Sequence, residues 1–234
     1  MVSTPKTYNY EYPRPAVTVD CVIFGFEKNQ LKLLLTKRAI EPYLGKWAFP
    51  GGFIQEDETA DECALRKLSE EAGLSNIFLE QLYTFSDLNR DPRGRVISIA
   101  YYALVKPNEY ILVAGLDIDA VQWFSLEEVA DLAFDHQQIL SVAVERLRGK
   151  IRYQPIGFEL LPAQFTLPDL HKLYETILQR SIDRGNFRKK ILSMDLLIDY
   201  SDMQKDRHAR AAKIYSFDKE KYEELKETGF YFEI

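Results

Sequence analysis

A glycine at position 52 is followed, after five intervening residues, by Glu58, and after seven more by the run Arg66-Lys67-Leu68-Ser69-Glu70-Glu71-Ala72-Gly73-Leu74. This spacing constrains the chain more than any other feature. Side chains four apart on a helix stand one above the other, so Arg66 and Glu70 share a face with Lys67 and Glu71. Leu65, Leu68 and Ala72 fall on the opposite side, which is expected to be buried. Pro50-Gly51-Gly52 breaks the chain ahead of the segment, and Gly73 has the character of a C-cap, so a helix is predicted over residues 59–72.

The flanking segments read as strands. Residues 16–26 are rich in β-branched and aromatic side chains, and after Glu27-Lys28-Asn29-Gln30 the apolar run 31–38 follows, which predicts a hairpin. Further strands are expected over 77–85, 96–105 and 120–124, a helix opening in capping-box form at Ser125, and another helix over 137–148. Helices packed on a mixed sheet give an α/β class. Between Gly149 and Pro162 the periodicity lapses around Pro155, Gly157 and Pro162, so residues 151–162 are expected to connect a first domain, 1–150, to a second, 163–234. A length of 234 residues suits two cores.

In the second half, Thr166-Leu-Pro-Asp169 starts a helix carrying Leu170, Leu173, Tyr174, Ile177 and Leu178 at helical spacing. Asp183 caps the next one, which places Phe187, Ile191 and Met194 on one face and Asn186, Lys189 and Ser193 on the other. Two short strands, near 196–200 and 212–217, bracket a basic tip. The formal net charge is −6, which alone argues against nucleic acid, yet from Arg180 to Lys213 nine basic residues face five acidic ones. That local excess, on a helix and a hairpin tip, has the layout of a helix-turn-helix with a wing. The expected DNA contacts are Arg184, Asn186, Arg188, Lys189 and Lys190 on the helix, with Arg207, His208 and Arg210 in the wing.

The pattern from Gly52 to Leu74 resembles the Nudix box, a Gly, five residues, a Glu and seven residues before Arg-Glu-aliphatic-any-Glu-Glu-any-Gly-aliphatic. It matches at every fixed position except Lys67. Trp47-Ala-Phe-Pro-Gly-Gly52 and Leu33-Leu-Leu-Thr-Lys-Arg38 are similar to that family's approach to its box. The resemblance implies an α/β/α sandwich with a mixed sheet, and carboxylates that hold magnesium against a diphosphate. It carries the metal-ligand role to Glu70 and Glu71, with Glu58 in support. Lys67 stands where the family has a glutamate acting as ligand or base. Exchanging −1 for +1 about 5 Å from a divalent ion changes the interaction by something on the order of 10 kcal/mol at an effective dielectric near 20. No residue of the degenerate set Gly52, Glu58, Arg66, Lys67, Glu70 and Glu71 is therefore assigned a catalytic role, and no cofactor is expected to be required. The alternative is a magnesium-dependent hydrolase of the ADP-ribose pyrophosphatase type, with an acid such as Glu56 compensating.

Asp87-Leu-Asn-Arg-Asp-Pro-Arg-Gly-Arg95 is an arginine-rich turn before an apolar strand, suited to phosphate. Similar turns occur in Nudix proteins that handle ADP-ribose. The expected ligand contacts are Arg38, Phe49, Gly51, Gly52, Glu70, Arg93 and Arg95, although Arg93 and Arg95 could instead pair with Asp87 and Asp91 to fix the turn. His136 and His171 read as structural, without the Cys or His partners that zinc needs. With Pro155-Ile-Gly-Phe-Glu-Leu-Leu-Pro162 and the basic helix, the chain resembles the Nudix-related transcription regulators of NAD metabolism and the arabinose regulators of bacteria. That implies a homodimer binding a double-stranded operator and sensing a sugar or nucleotide sugar, with coupling through residues 154–159. Two cysteines in apolar settings, with no signal peptide and no apolar run of membrane length, suit a cytoplasmic protein.

Overall fold

The computed structural model describes residues 10–200, 212–230 and 232–234. Strands β1 (Ala16–Glu27) and β2 (Gln30–Arg38) form the expected hairpin, turning through Lys28 and Asn29, both at positive φ. They sit in a seven-stranded mixed sheet with β3 (Trp47–Ala48), β4 (Gly51–Phe53), β5 (Glu80–Phe85), β6 (Val96–Val105) and β7 (Ile118–Ser125). The order β3-β2-β1-β6-β5 places β1 at the centre, parallel to β6 along ten residues from Ala16↔Val96 to Gly25↔Val105. β4 pairs with β1 and β7 with β2, both antiparallel.

The central strand shows how the layers arise. Successive side chains of a strand alternate between faces, and β1 sends Val19, Cys21 and Ile23 to one cluster and Val22 and Phe24 to another. The first cluster is closed by α1 (Ala60–Ala72), the second by α2 (His136–Tyr153). Each such buried aliphatic or aromatic side chain contributes roughly 1.5–3 kcal/mol, and the result is an α/β/α sandwich. At the N-terminal end of β1 the even-numbered face turns polar, with Thr18 and Asp20, and there the core gives way to a cleft.

α1 begins where its sequence signals place it. The Thr59 hydroxyl accepts from the Glu62 backbone N–H at 3.2 Å while the Glu62 carboxylate accepts from the Thr59 N–H at 2.8 Å. Gly73 ends the helix at φ 73, a left-handed position that favours glycine. Its buried stripe is Cys63, Ala64, Leu68 and Ala72, whereas Leu65, expected inside, is 41% exposed. Leu65 lies about 100° round the helix from Ala64, just outside the stripe. Ser125 and Glu128 do form a capping box, but it opens only a single 3-10 turn at residues 126–128.

α2 runs five residues beyond the expected end at Arg148, through Tyr153, and so takes up the first residues of the expected connector, 151–162. Residues 156–160 form a 3-10 turn with Gly157, Phe158 and Leu160 buried, and Phe158 stacks on Phe217 at 4.3 Å and 11°. The second domain comprises β8 (Phe165–Thr166), α3 (Leu167–Leu178), α4 (Arg184–Ser193), β9 (Leu197–Asp199), β10 (Ile214–Phe217) and α5 (Lys219–Glu227), with a three-stranded antiparallel sheet in the order β8-β10-β9. Thr166 and Asp183 cap α3 and α4 as their sequences require. Apolar side chains of β1, β2, α2, the 156–160 turn, α3 and α4 belong to one continuous cluster, so the two domains share a core.

Candidate functional site

The cleft occupies about 340 Å³ at the polar end of β1. One wall comes from α1. Arg66 is bidentate on Glu58, at 2.8 and 2.5 Å, and reaches Glu70 at 3.0 Å. The neighbouring Lys67 ammonium lies 3.2 Å from Glu70 and 3.5 Å from Glu71, while Glu71 also accepts from the Gly51 N–H at 3.2 Å. Gly52 is needed for this packing, because a Cβ there would meet Lys67 Cε at 2.5 Å. Each carboxylate of the box therefore already has a cation against it. Burial pushes the Glu71 carboxyl up to about 7, although Lys67 and the Gly51 N–H pull the other way. Glu70 is held below its ordinary value, since Lys67 and Arg66 outweigh the opposing effect of burial, and Arg66 holds Glu58 down at about 2.

The donor set does not fit magnesium. The space between Glu70 and Glu71, the two expected ligands, is filled by the side-chain ammonium of their own helix. Among the described residues no group of three or more His, Cys, Asp or Glu side chains is arranged to hold a metal ion. The charge that a divalent ion would supply is provided in part by Lys67.

The floor is a buried ionic network that the sequence did not announce. Arg90, whose side chain is 3% exposed, is bidentate on Asp135 at 2.9 and 2.7 Å and reaches Asp20 at 3.2 Å. Asp20 also accepts from the Ser98 hydroxyl and lies 3.3 Å from His136 Nε2. The Phe49 N–H donates to His136 Nδ1 at 2.9 Å, which leaves the ring proton on Nε2, directed at Asp20. Burial acts to raise the Asp20 carboxyl, but His136 and Arg90 outweigh it and hold the group low. His136 thus has the structural role expected of it, stacked on Phe49 at 5.0 Å, and it also lines the cleft. His171 bonds the Ile182 carbonyl at 2.8 Å within the second domain.

Above this floor, Arg38 and Arg93 flank the Phe134 ring at 5.0 and 5.4 Å. Phe134 itself sits at φ 55, a left-handed conformation costing a bulky residue about 1–3 kcal/mol. Arg93 pairs with Asp91 at 2.7 Å, whereas Arg38 donates to the Pro42 and Ile40 carbonyls. Burial and the nearby Arg93 lower the Arg38 pKa, against the pull of Glu71, Asp91 and Asp20. Of the expected contacts, Arg38, Phe49, Gly51, Gly52 and Arg93 line the cleft together. Glu70 and Arg95 do not. Glu70 is taken up by Arg66 and Lys67, and Arg95 donates to the Ser86 and Asp87 carbonyls to hold the turn. Arg90, Asp20 and Thr18 line it unforeseen; Asp20 had a signal, as a lone carboxylate inside an apolar strand.

The basic helix α4 buries Phe187 and Ile191 and leaves Arg184, Asn186, Arg188, Lys189 and Lys190 exposed, as its periodicity requires. Lys190 makes an exposed pair with Glu233 at 3.4 Å. Among the described residues Arg188 and Lys189 have no ion-pair partner. β9 and β10 pair antiparallel as a wing should, while Arg207, His208 and Arg210 lie outside the described residues. No helix among the described residues is long and apolar enough to cross a membrane.

The NUDIX domain family model matches residues 14–143, and that of the NrtR DNA-binding winged helix domain matches residues 157–217. The ADPR responsive transcriptional repressor NtrR of Acinetobacter baylyi is 35% identical over 217 residues, covering 91% of this chain and 86% of that protein. An ADP-ribose pyrophosphatase of Methanocaldococcus jannaschii is 42% identical over 129 residues, 55% of this chain and 73% of its own. Among solved structures, Shewanella oneidensis NrtR superposes with a TM-score of 0.73 at 37% identity, covering 86% of this chain and 93% of that one. That protein has also been crystallised with a 27mer DNA, and its NUDIX domain with ADP ribose. In its box, its cleft and its winged helix alike, this chain belongs to the Nudix family and, within it, to the NrtR-like proteins that join a Nudix domain to an NrtR winged helix.

Proposed function

We propose that the chain is an ADP-ribose-responsive transcriptional repressor. The winged helix holds an operator duplex, and the Nudix cleft takes up ADP-ribose and returns it uncleaved. The observation that carries this reading is the Lys67 ammonium set between Glu70 and Glu71, at 3.2 and 3.5 Å, in a chain that ends in a winged helix. Arg38 and Arg93 supply positive charge for the diphosphate. In this reading Asn186 and Lys189 meet base edges, with Arg184, Arg188 and Lys190 on phosphates and Arg207, His208 and Arg210 serving the wing. The protein acts as a cytoplasmic homodimer, one half-site per subunit, and needs no metal.

Fluorescence anisotropy with duplexes from the protein's own genomic neighbourhood tests both halves of this reading. Binding should weaken steeply with salt, and ADP-ribose should release the DNA and be recovered intact. Brisk hydrolysis of ADP-ribose without salt-sensitive affinity for any duplex would overturn it. The identity to the Methanocaldococcus enzyme, together with a Glu71 carboxyl that titrates near 7, favours a second reading as a hydrolase with Glu71 as base. Product analysis in the same experiment separates the two.

A further inference from the structure

We infer that Thr18 is a specificity-determining contact that hydrogen-bonds a pentose hydroxyl of the ligand, an assignment that rests on the cleft being a nucleotide-sugar site. Thr18 is 5% exposed, lines the cleft, and its Oγ1 has no hydrogen-bond partner among the described residues. Most buried hydroxyls are paired, because an unmatched one loses its interaction with water and gains nothing; the other unpaired one among the described residues, Tyr174 Oη, lies in the core away from the cleft. Packing does not explain the Thr18 hydroxyl. Val22 and Phe24 continue the same face of β1 as apolar core, and valine has the shape of threonine without the hydroxyl.

The surroundings select the ligand group. Asp20 shares Thr18's face of the strand and is kept ionised by Arg90 and His136, and Asp91 lines the same cleft. Carboxylates repel a phosphate. Of the guanidiniums suited to one, Arg38 lies against Phe134, and Arg93, over Phe53 across the strand pair from Thr18, is committed to Asp91 at 2.7 Å. A threonine hydroxyl can both donate and accept, and so can a sugar hydroxyl, whereas a phosphate oxygen only accepts. ADP-ribose carries two pentoses, and either could present that hydroxyl.

The test is calorimetric titration of the full-length protein and its Thr18→Val and Thr18→Ser variants with ADP-ribose, ADP and 2′,3′-dideoxy-ADP. Thr18→Val should weaken ADP-ribose roughly 5- to 100-fold and leave dideoxy-ADP unchanged. Thr18→Ser should stay within about threefold of wild type, because it retains the hydroxyl. ADP distinguishes the two pentoses: weakened binding assigns the adenosine ribose, unchanged binding the terminal one. The Thr18→Val protein should melt no lower than wild type. Undiminished binding of ADP-ribose by Thr18→Val, or an equal loss for dideoxy-ADP, overturns the assignment. Failure of the wild type to bind ADP-ribose at all instead removes the nucleotide-sugar reading, and this assignment with it.

Discussion

Replacing Lys67 by glutamate inverts the charge at the centre of the α1 wall. It removes two contacts, at 3.2 and 3.5 Å, and leaves carboxylates at positions 67, 70 and 71 on one helical face. Two unit charges about 3.3 Å apart interact by roughly 5 kcal/mol at an effective dielectric of 20. Glu70 is half exposed, so the net loss there is a small fraction of that figure. Glu71 is mostly buried, and the larger share falls on it. The variant should therefore melt several degrees below wild type in metal-free buffer. Its three carboxylates now form a cation site, and magnesium at 10 to 100 times its Kd would return about 1.4–2.7 kcal/mol. Differential scanning calorimetry with and without magnesium reads this directly: the Tm of Lys67→Glu rises with the metal and that of wild type does not. A wild type that gains as much from magnesium as the variant, or a variant indifferent to it, would refute the view that Lys67 occupies the cation's place.

Glu71 makes stability depend on pH. Its folded pKa of about 7 lies above the ordinary 4.5, so the folded state holds the proton more tightly. The contribution is complete below 4.5 and is lost as pH rises through 7, about 3 kcal/mol in all. Glu71→Gln should flatten the urea-midpoint profile across that window, and an unchanged slope would assign the dependence elsewhere. Arg90→Met leaves Asp20 and Asp135 buried with their shared cation gone and should cost about 3–5 kcal/mol, read as a lower denaturant midpoint at constant slope. Arg188→Ala should weaken binding to all duplexes alike and reduce the salt slope by about one, whereas Asn186→Ala should narrow the gap between operator and random DNA by roughly 1–3 kcal/mol.

Much of the fold was legible where local chemistry decides it. Gly73 ends α1, the β-branched and aromatic runs give β1 and β6, the apolar run 31–38 gives β2, and Asp183 starts α4. What escaped depends on neighbours distant in sequence. Leu65 and Leu68 look equivalent in the chain, and only the position of the sheet decides which is inside. Asp135 stands at the N-cap of α2, yet makes no capping bond because its carboxylate is committed to Arg90. Arg90 itself was passed over for Arg93 and Arg95, since nothing local separates three arginines in one turn. α2 continued past Arg148 because Ile151 is covered by the second domain's share of the core, a contact invisible to periodicity.

The shared core has a mechanical consequence. With Arg148 bonded to the Ile177 carbonyl and the Ile234 N–H to the Arg152 carbonyl, the halves meet as a glued joint and not as beads on a string. Close-packed interiors resist graded bending. A change of packing on one side of that joint is therefore felt on the other, and the two halves should respond to it as one piece.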